Sequence, residues 1–447
     1  MELRVRAERL QADFVALSRI GGTPEGGVER TTFSEAHLVA RAWFHERARA
    51  AGLETCVDSA ANFSAVLRAP DPAARTLMLG SHLDTVRRGG RYDGALGVVC
   101  ALEVLRTIKD AGLDLPVTLE AIDFTDEEGT LLGTLGSQAL AGELSLDALA
   151  RPRGGREHLV AELARQGLTE DGVLAARRDP ATIAGFLELH IEQGPLLEQA
   201  GVDIGIVTGI TGASSFRVVF TGAARHAGTT PMDARRDAVV GAAAFVLGVR
   251  ETVTRDFPGC VATVGDIVTE PGSYNVVPGR ATLQLECRAA DDVRLTTLEL
   301  ALTQRARAEA EAFGLDVTVE PVGRWEPTPT DPGVRALIAS AASALGLTTM
   351  EVPSGAGHDA QSLAAITPSG MVFVPSAGGI SHDASEHTAW ADCVNGANVL
   401  LHATVRLAEA DVRSGRDALA RQRARNHELD ELGAPRSDLV PAVDREP

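Results

Sequence analysis

The chain has 447 residues, with 42 Lys+Arg against 61 Asp+Glu and a formal net charge of −19. Lys109 is the only lysine, so there is no Gly-Lys-Ser/Thr phosphate loop, and a lysine Schiff base would have to use a residue near a helix end. Acidity, with no basic run apart from Arg421/Arg423/Arg425, argues against nucleic acid as a partner. No stretch approaches the ~18 apolar residues needed to cross a bilayer, so no membrane partner is expected. Five cysteines (Cys56, Cys100, Cys260, Cys287, Cys393), odd in number and without Cys-x-x-Cys spacing, read as a reduced, cytoplasmic protein.

The first residues, MELRVRAERLQADFVAL, alternate charged and apolar positions as an amphipathic helix does. Residues 34–52 read as a helix with Ser34 as N-cap and Gly52 as its stop. Thr76–Gly80 reads as a buried strand, Gly94–Asp110 as a helix and Val117–Phe124 as a second strand. This β-α-β alternation predicts a mostly parallel sheet flanked by helices, an α/β fold. Residues 145–180 are polar and arginine-rich, read as helices and loops. The pattern changes near Gly209. Strand-like runs at Phe216–Thr221, Val261–Val268 and Ala281–Arg288 combine with helical stretches Asp237–Thr254 and Val293–Ala312. Their order predicts a smaller α+β unit inserted into the α/β domain. Alternation resumes after 333. The expected organisation is a catalytic domain at 1–209 and 326–412, an inserted domain at 210–325 and a charged tail, helix then loose segment, at 413–447.

Five clusters could carry chemistry. Ser81-His82-Leu83-Asp84-Thr85 follows a strand, and period-2 geometry puts His82 and Asp84 on one face. Gly89-Gly90-Arg91-Tyr92-Asp93-Gly94 is a glycine-rich turn into a helix, where Asp93 suits an N-cap or a group wrapped around a ligand. Asp126-Glu127-Glu128 places three mutually repelling carboxylates at a strand end, either solvated or gathered on a cation. In Phe186–Gly194 alternation puts Glu188, His190 and Glu192 on the polar face. The fifth is Gly379–His387, between a strand-like Met371–Pro375 and a helix from about Asp392. Three of the five lie at strand C-terminal ends, where open α/β sheets place their sites. Together they offer nitrogen and oxygen donors suited to zinc or a similar divalent ion, with a carboxylate to spare as base. There is no Gly-x-Ser-x-Gly elbow, no His-Glu-x-x-His and no dinucleotide-binding glycine motif.

The segments SHLDTV, GGRYDGALG, TDEEG, LELHIEQG, RHAGTTPM, NVVPG, SGAGHDA and MVFVPSAGGISHDASEHT, in this order, resemble the dinuclear-metal amidohydrolases over about residues 15–410. These are the N-carbamoyl-L-amino acid hydrolases and allantoate amidohydrolases, a branch of the aminoacylase/carboxypeptidase-type metallopeptidases. The resemblance implies His82, Asp93 and His190 as ligands of one divalent ion, and Asp93, Glu128 and His382 as ligands of a second, with Asp93 bridging. Zinc, manganese, cobalt or nickel would serve. It makes Glu127 the general base and Asp84 the carboxylate partner of His82. His387, where the pattern varies, is not expected to ligate. The inserted domain resembles a lid and dimerisation domain. Within it His226 matches a histidine that reaches the neighbouring subunit's site to stabilise the oxyanion. Asn275 and Arg288 match residues gripping the substrate carboxylate, and Gln193 a contact to the ureido group.

The implied reaction is hydrolysis of the carbamoyl C–N bond of an N-carbamoyl-L-amino acid by a homodimer. Allantoate amidohydrolysis is the alternative, and an N-acyl amino acid hydrolase or peptidase a further one that His190 disfavours. A non-catalytic binding module would have no use for Glu127. Many relatives carry Arg-Phe after Glu-Glu-Gly where this chain has Thr130-Leu131-Leu132-Gly133-Thr134-Leu135, a departure that bears on side-chain specificity.

Overall fold

The structure, a computed structural model, describes residues 3–431, with side chains through Asp411. In chain order the first strands are β1 (Glu54–Val57), β2 (Phe63–Leu67), β3 (Thr76–His82), β4 (Thr118–Phe124), β5 (Ile183–Ile191) and β6 (Ile204–Ile210). There follow β7 (Gly212–Thr221), β8 (Arg225–His226), β9 (Val261–Glu270), β10 (Val276–Val277), β11 (Arg280–Ala289) and β12 (Asp316–Trp325). The last are β13 (Thr328–Pro329), β14 (Thr349–Ser354) and β15 (Ser369–Val374).

The large sheet has the order β1-β2-β4-β3-β5-β15-β6-β13, with β14 also paired to β6. Its centre, β4-β3-β5-β15, is parallel as expected. The flanks are antiparallel, β1 on β2 on β4 at one side and β15 on β6 on β13 at the other, so the sheet as a whole is mixed. A parallel centre must be covered on both faces, and β4 and β5 are accordingly buried at every residue. Helix Ala95–Asp110 supplies much of one cover and is apolar nearly all round, as a core helix should be. Helix Glu35–Ala50 lies where the sequence puts it. Ser34 Oγ accepts the His37 N–H at 3.2 Å, and Gly52 stops the helix in the left-handed region at φ +67°. Residues 145–180 form helices Leu146–Ala150, Arg156–Arg165 and Glu170–Leu174.

A second sheet, β12-β7-β11-β9, is antiparallel and backed by helices Ala238–Asp256 and Asp292–Ala312. Along β11 the period of two is plain: Ala281, Leu283, Leu285, Cys287 and Ala289 are buried against the helices. Thr282, Gln284, Glu286 and Arg288 therefore point to the open face. That face looks toward the large sheet, which is why Glu286 and Arg288, with Trp325 of β12, reach a cavity built mostly by the α/β part. The strands β8 and β10 form a separate two-stranded ribbon. The chain returns through helix Pro332–Ala344 and ends in helix Trp390–Glu431. The loose segment expected after that helix lies outside the described residues. Among the described residues no helix is long and apolar enough to cross a membrane.

Candidate metal centre

His82 ends β3, Asp126 to Glu128 follow β4, His190 sits near the end of β5, and Ser376 to His382 follow β15. All are C-terminal ends of adjacent parallel strands, so the sheet itself gathers them. Asp93 arrives from the turn before helix Ala95–Asp110. It is not that helix's N-cap: Gly94 takes the cap position at φ +60°, a conformation that suits glycine. A Cβ there would sit 2.4 Å from the His82 ring. Freed from capping, the Asp93 carboxylate turns into the cavity.

Each of its oxygens faces a different set. Oδ1 lies 3.1 Å from His190 Nε2 and 3.5 Å from His82 Nε2. Oδ2 lies 3.2 Å from His382 Nε2, which is also 3.5 Å from Glu128 Oε2. Thus His82, Asp93 and His190 form one group of donor atoms, and Asp93, Glu128 and His382 a second, sharing the aspartate. The imidazoles are set for ligation by their other nitrogens. His82 Nδ1 lies 3.0 Å from the Asp84 main-chain oxygen and His190 Nδ1 2.8 Å from that of Ile191. Each Nδ1 then carries a proton, which leaves Nε2, facing Asp93, as the nitrogen available to a cation; the Gly94 N–H lies 3.1 Å from that of His190.

The supporting shell differs from the expectation at Asp84. Its carboxylate is 3.8 Å from His82 Nδ1, farther than its own main-chain oxygen. What the carboxylate accepts instead are the N–H groups of Glu127 (3.3 Å) and Glu128 (3.2 Å) and the Thr32 hydroxyl (3.0 Å). The same hydroxyl is 2.8 Å from Asp126, whose carboxylate also accepts the N–H groups of Leu131, Leu132 and Gly133. Asp84 and Asp126 therefore fold the loop that presents Glu127 and Glu128. Opposite, Glu386 accepts the N–H groups of Tyr92 and Asp93 and the Ser381 hydroxyl, at 2.8–3.1 Å, and so clamps the Asp93 turn. Nothing local in the sequence marks Thr32 for this role; Glu386 stands within the Gly379–His387 cluster with nothing to mark it as a clamp.

Charge in the cluster is unbalanced. Burial pushes Glu127 well above the usual carboxylate range; His82 opposes this, while Glu128, Asp359 and Asp93 add to it. Burial and Asp93 lift Glu128 to about 7. Burial would raise Asp93 too, but hydrogen bonding to His190, His382 and His82 outweighs it and holds the group well below its ordinary value. Glu128 Oε1 and Gln193 Oε1 are buried without a hydrogen-bond partner. Orphaned oxygens and carboxylates lifted by their neighbours are what a set of divalent-cation ligands shows when its positive charge is missing. The residues fit such a cation.

The cavity of about 400 Å³ is lined by His82, Asp93, Glu127, Glu128, His190, Gln193 and His382, and from the second sheet by Glu286, Arg288 and Trp325. Gln193 Nε2 donates to Asp93 Oδ2 at 2.8 Å. His358 and Arg153 also line it. The first belongs to the SGAGHDA segment but was not singled out, and the second stands in the polar stretch that carried no pattern. His387 faces Tyr92, with Nδ1 3.3 Å from the phenol oxygen, and takes no part in the cluster. His226 and Asn275 are not brought to this cavity within one chain. They lie exposed on and beside the β8–β10 ribbon, where Ala227 N–H donates to the Asn275 oxygen at 2.9 Å.

The chain has relatives among known proteins. The chain is 36% identical over 409 residues to the N-carbamoyl-L-amino acid amidohydrolase of Geobacillus stearothermophilus, covering 91% of this chain and 100% of that one. It is 34% identical to an allantoate deiminase of Arabidopsis thaliana, over 80% of this chain and 75% of the relative. The crystal structure of a hydantoinase/carbamoylase family amidase from Burkholderia ambifaria superposes with a TM-score of 0.83 at 36% identity, covering 91% and 98% of the two chains. The sequence pattern of peptidase family M20/M25/M40 matches residues 78–406, and the chain belongs to that family.

Proposed function

We propose that the protein is a metal-dependent amidohydrolase that cleaves the carbamoyl C–N bond of N-carbamoyl-L-amino acids. The observation that carries this reading is Asp93, one oxygen toward His82 and His190 and the other toward His382 and Glu128, with Glu127 left over beside them. A carboxylate shared between two donor sets is suited to a pair of cations, zinc or equally manganese, cobalt or nickel. Held there, they would supply Lewis-acid polarisation of the scissile carbonyl and acidify water.

The chain's residues do the rest. Glu127, 3.5 Å from His82 through Oε2 and otherwise free of ligand duty, takes a proton from the attacking water and returns it to the leaving nitrogen. Arg288 offers a planar fork for the substrate carboxylate. Gln193, with an unpartnered buried oxygen, accepts from the ureido N–H. Hydrolysis releases the amino acid and carbamate, which breaks down to carbon dioxide and ammonia. We assign residues 210–325 the role of lid and dimerisation domain, with His226 and Asn275 of one protomer serving its partner's cavity. Their exposure on the β8–β10 ribbon supports this. The 34% identity to an allantoate deiminase supports allantoate as the second substrate to assay.

Glu127→Gln tests the reading. It should keep bound metal while kcat falls about 10²–10⁴-fold, the span general acid–base groups contribute. A variant with full activity refutes it.

A further inference from the structure

The carboxylate fork assigned to the substrate is already occupied by the chain itself. Arg288 Nε donates to Glu286 Oε1 at 2.8 Å, and Nη2 lies 2.8 Å from the same oxygen. These two nitrogens form the edge of a guanidinium that grips a carboxylate at two points. The third, Nη1, donates to the Gly355 main-chain oxygen at 2.8 Å, across the gap between the second sheet and the loop after β14. Glu286 and Arg288 stand two apart on β11, share its open face and line the same cavity.

We propose that Glu286 sets the affinity for the substrate's carboxylate: it fills the Arg288 fork while the cavity is empty, and the incoming carboxylate must take its place. The inference rests on the proposed function, since it assumes that Arg288 receives the substrate's carboxylate. The exchange replaces one anion by another at the same donors, so the guanidinium never loses a partner. The resident pair is weak enough to give way, because its side chains are 36% and 41% exposed. Arg288 does not swing free when Glu286 leaves, because Nη1 stays on Gly355. Glu286 therefore acts against the substrate: it competes for the fork and, once displaced, adds negative charge to a cavity that already holds Asp93, Glu127 and Glu128. A ureido compound without a carboxylate makes no claim on the fork, so Glu286 leaves its binding unchanged.

The test uses the full-length, metal-loaded protein and compares wild type, Glu286→Gln and Glu286→Ala. Each is assayed on an N-carbamoyl-L-amino acid and on the corresponding carboxamide, and each has its affinity for the acid measured by calorimetry. Both variants should bind the acid at least threefold more tightly and show a matching fall in KM, with kcat moving less than KM. The carboxamide should gain nothing. A rise in KM for the acid would mean that Glu286 orients Arg288, and would overturn the inference. So would unchanged affinity, or an equal change for both compounds. If the wild type binds the acid but never turns it over, the proposed reaction fails while the affinity comparison still decides this inference. If neither protein binds the acid, both fail.

Discussion

Replacing Asp84 with asparagine separates two roles that a histidine-adjacent carboxylate could have. If the carboxylate tuned His82, its loss would weaken metal binding. The structure gives the tuning to the Asp84 main-chain oxygen, 3.0 Å from His82 Nδ1, which the substitution leaves in place. The side chain instead holds the N–H groups of Glu127 and Glu128 and the Thr32 hydroxyl, in full burial. An asparagine has one acceptor oxygen, so either the Glu127 side or the Glu128/Thr32 side meets an N–H instead. A hydrogen bond to a charged group is worth about 1.5–3 kcal/mol net, and contacts of 3.2–3.3 Å belong near the lower end. Losing one such bond and loosening a second costs about 2 kcal/mol. Because the loop presents the general base, that cost falls on the transition state and corresponds to roughly a thirtyfold lower kcat. The assay is steady-state kinetics at matched metal loading, with metal content measured on the same samples. A variant with kcat within threefold of wild type, or one that loses metal in proportion to activity, refutes the reasoning.

Three further outcomes follow from other parts of the structure. Burial lifts Asp123 from 3.8 to about 6, although Arg41 Nε lies 2.8 Å from Oδ2 and opposes the shift. The folded chain thus binds this proton more tightly than the unfolded chain. The stability it contributes is complete below about pH 4 and is lost as pH rises through 6, a difference of about 3 kcal/mol. Asp123→Asn, which deprives Arg41 of a counter-charge only above about pH 6, should lack that component when urea unfolding is compared at pH 4.5 and pH 7; an unaltered pH slope contradicts it. Chelation should lower the melting temperature by about 3 °C, the effect of removing a ligand present at a hundred times its dissociation constant, and added divalent metal should restore it. No shift, with no metal in the purified protein, would count against the centre. Mixing inactive His226→Ala with inactive Glu127→Gln and allowing subunits to reassort should restore roughly a quarter of wild-type activity if His226 serves the partner's site. No recovery after demonstrated exchange would place the whole site within one chain.

Most elements were legible because their signals are local. Ser34 and Gly52 bracket a helix by capping chemistry, and the alternation in Ala281–Arg288 names its buried face directly. Asp93 was legible only as one of two readings, since a glycine-flanked aspartate before a helix suits a cap as well as a ligand. What decides is Gly94 at positive φ, a backbone fact that composition does not carry. Asp84 shows the complementary case: period-2 spacing places it beside His82, where its carboxylate lies 3.8 Å from Nδ1, but β3 ends at His82 and the hydrogen bonds of that carboxylate go to the loop after β4. Thr32 and Arg153 were invisible because their partners lie far along the chain. Glu286 was hidden by its own neighbour, for an arginine at 288 draws the eye as an anchor and says nothing of what already sits on it.

The strand order has a consequence for how the molecule is made. β15 lies between β5 and β6, so the centre of the large sheet stays split until residues 369–374 have been synthesised. The sheet formed by β12-β7-β11-β9 has no such dependence, since its strands fall within residues 212–325. During synthesis the second sheet is therefore free to fold first, while β3, β4 and β5 wait with one unpaired edge for a strand roughly 180 residues downstream, the kind of long-range closure that slows folding and exposes chains to aggregation. His382 and Glu386 emerge only after that closing strand, so the cavity is completed late, with helix Trp390–Glu431 still to follow.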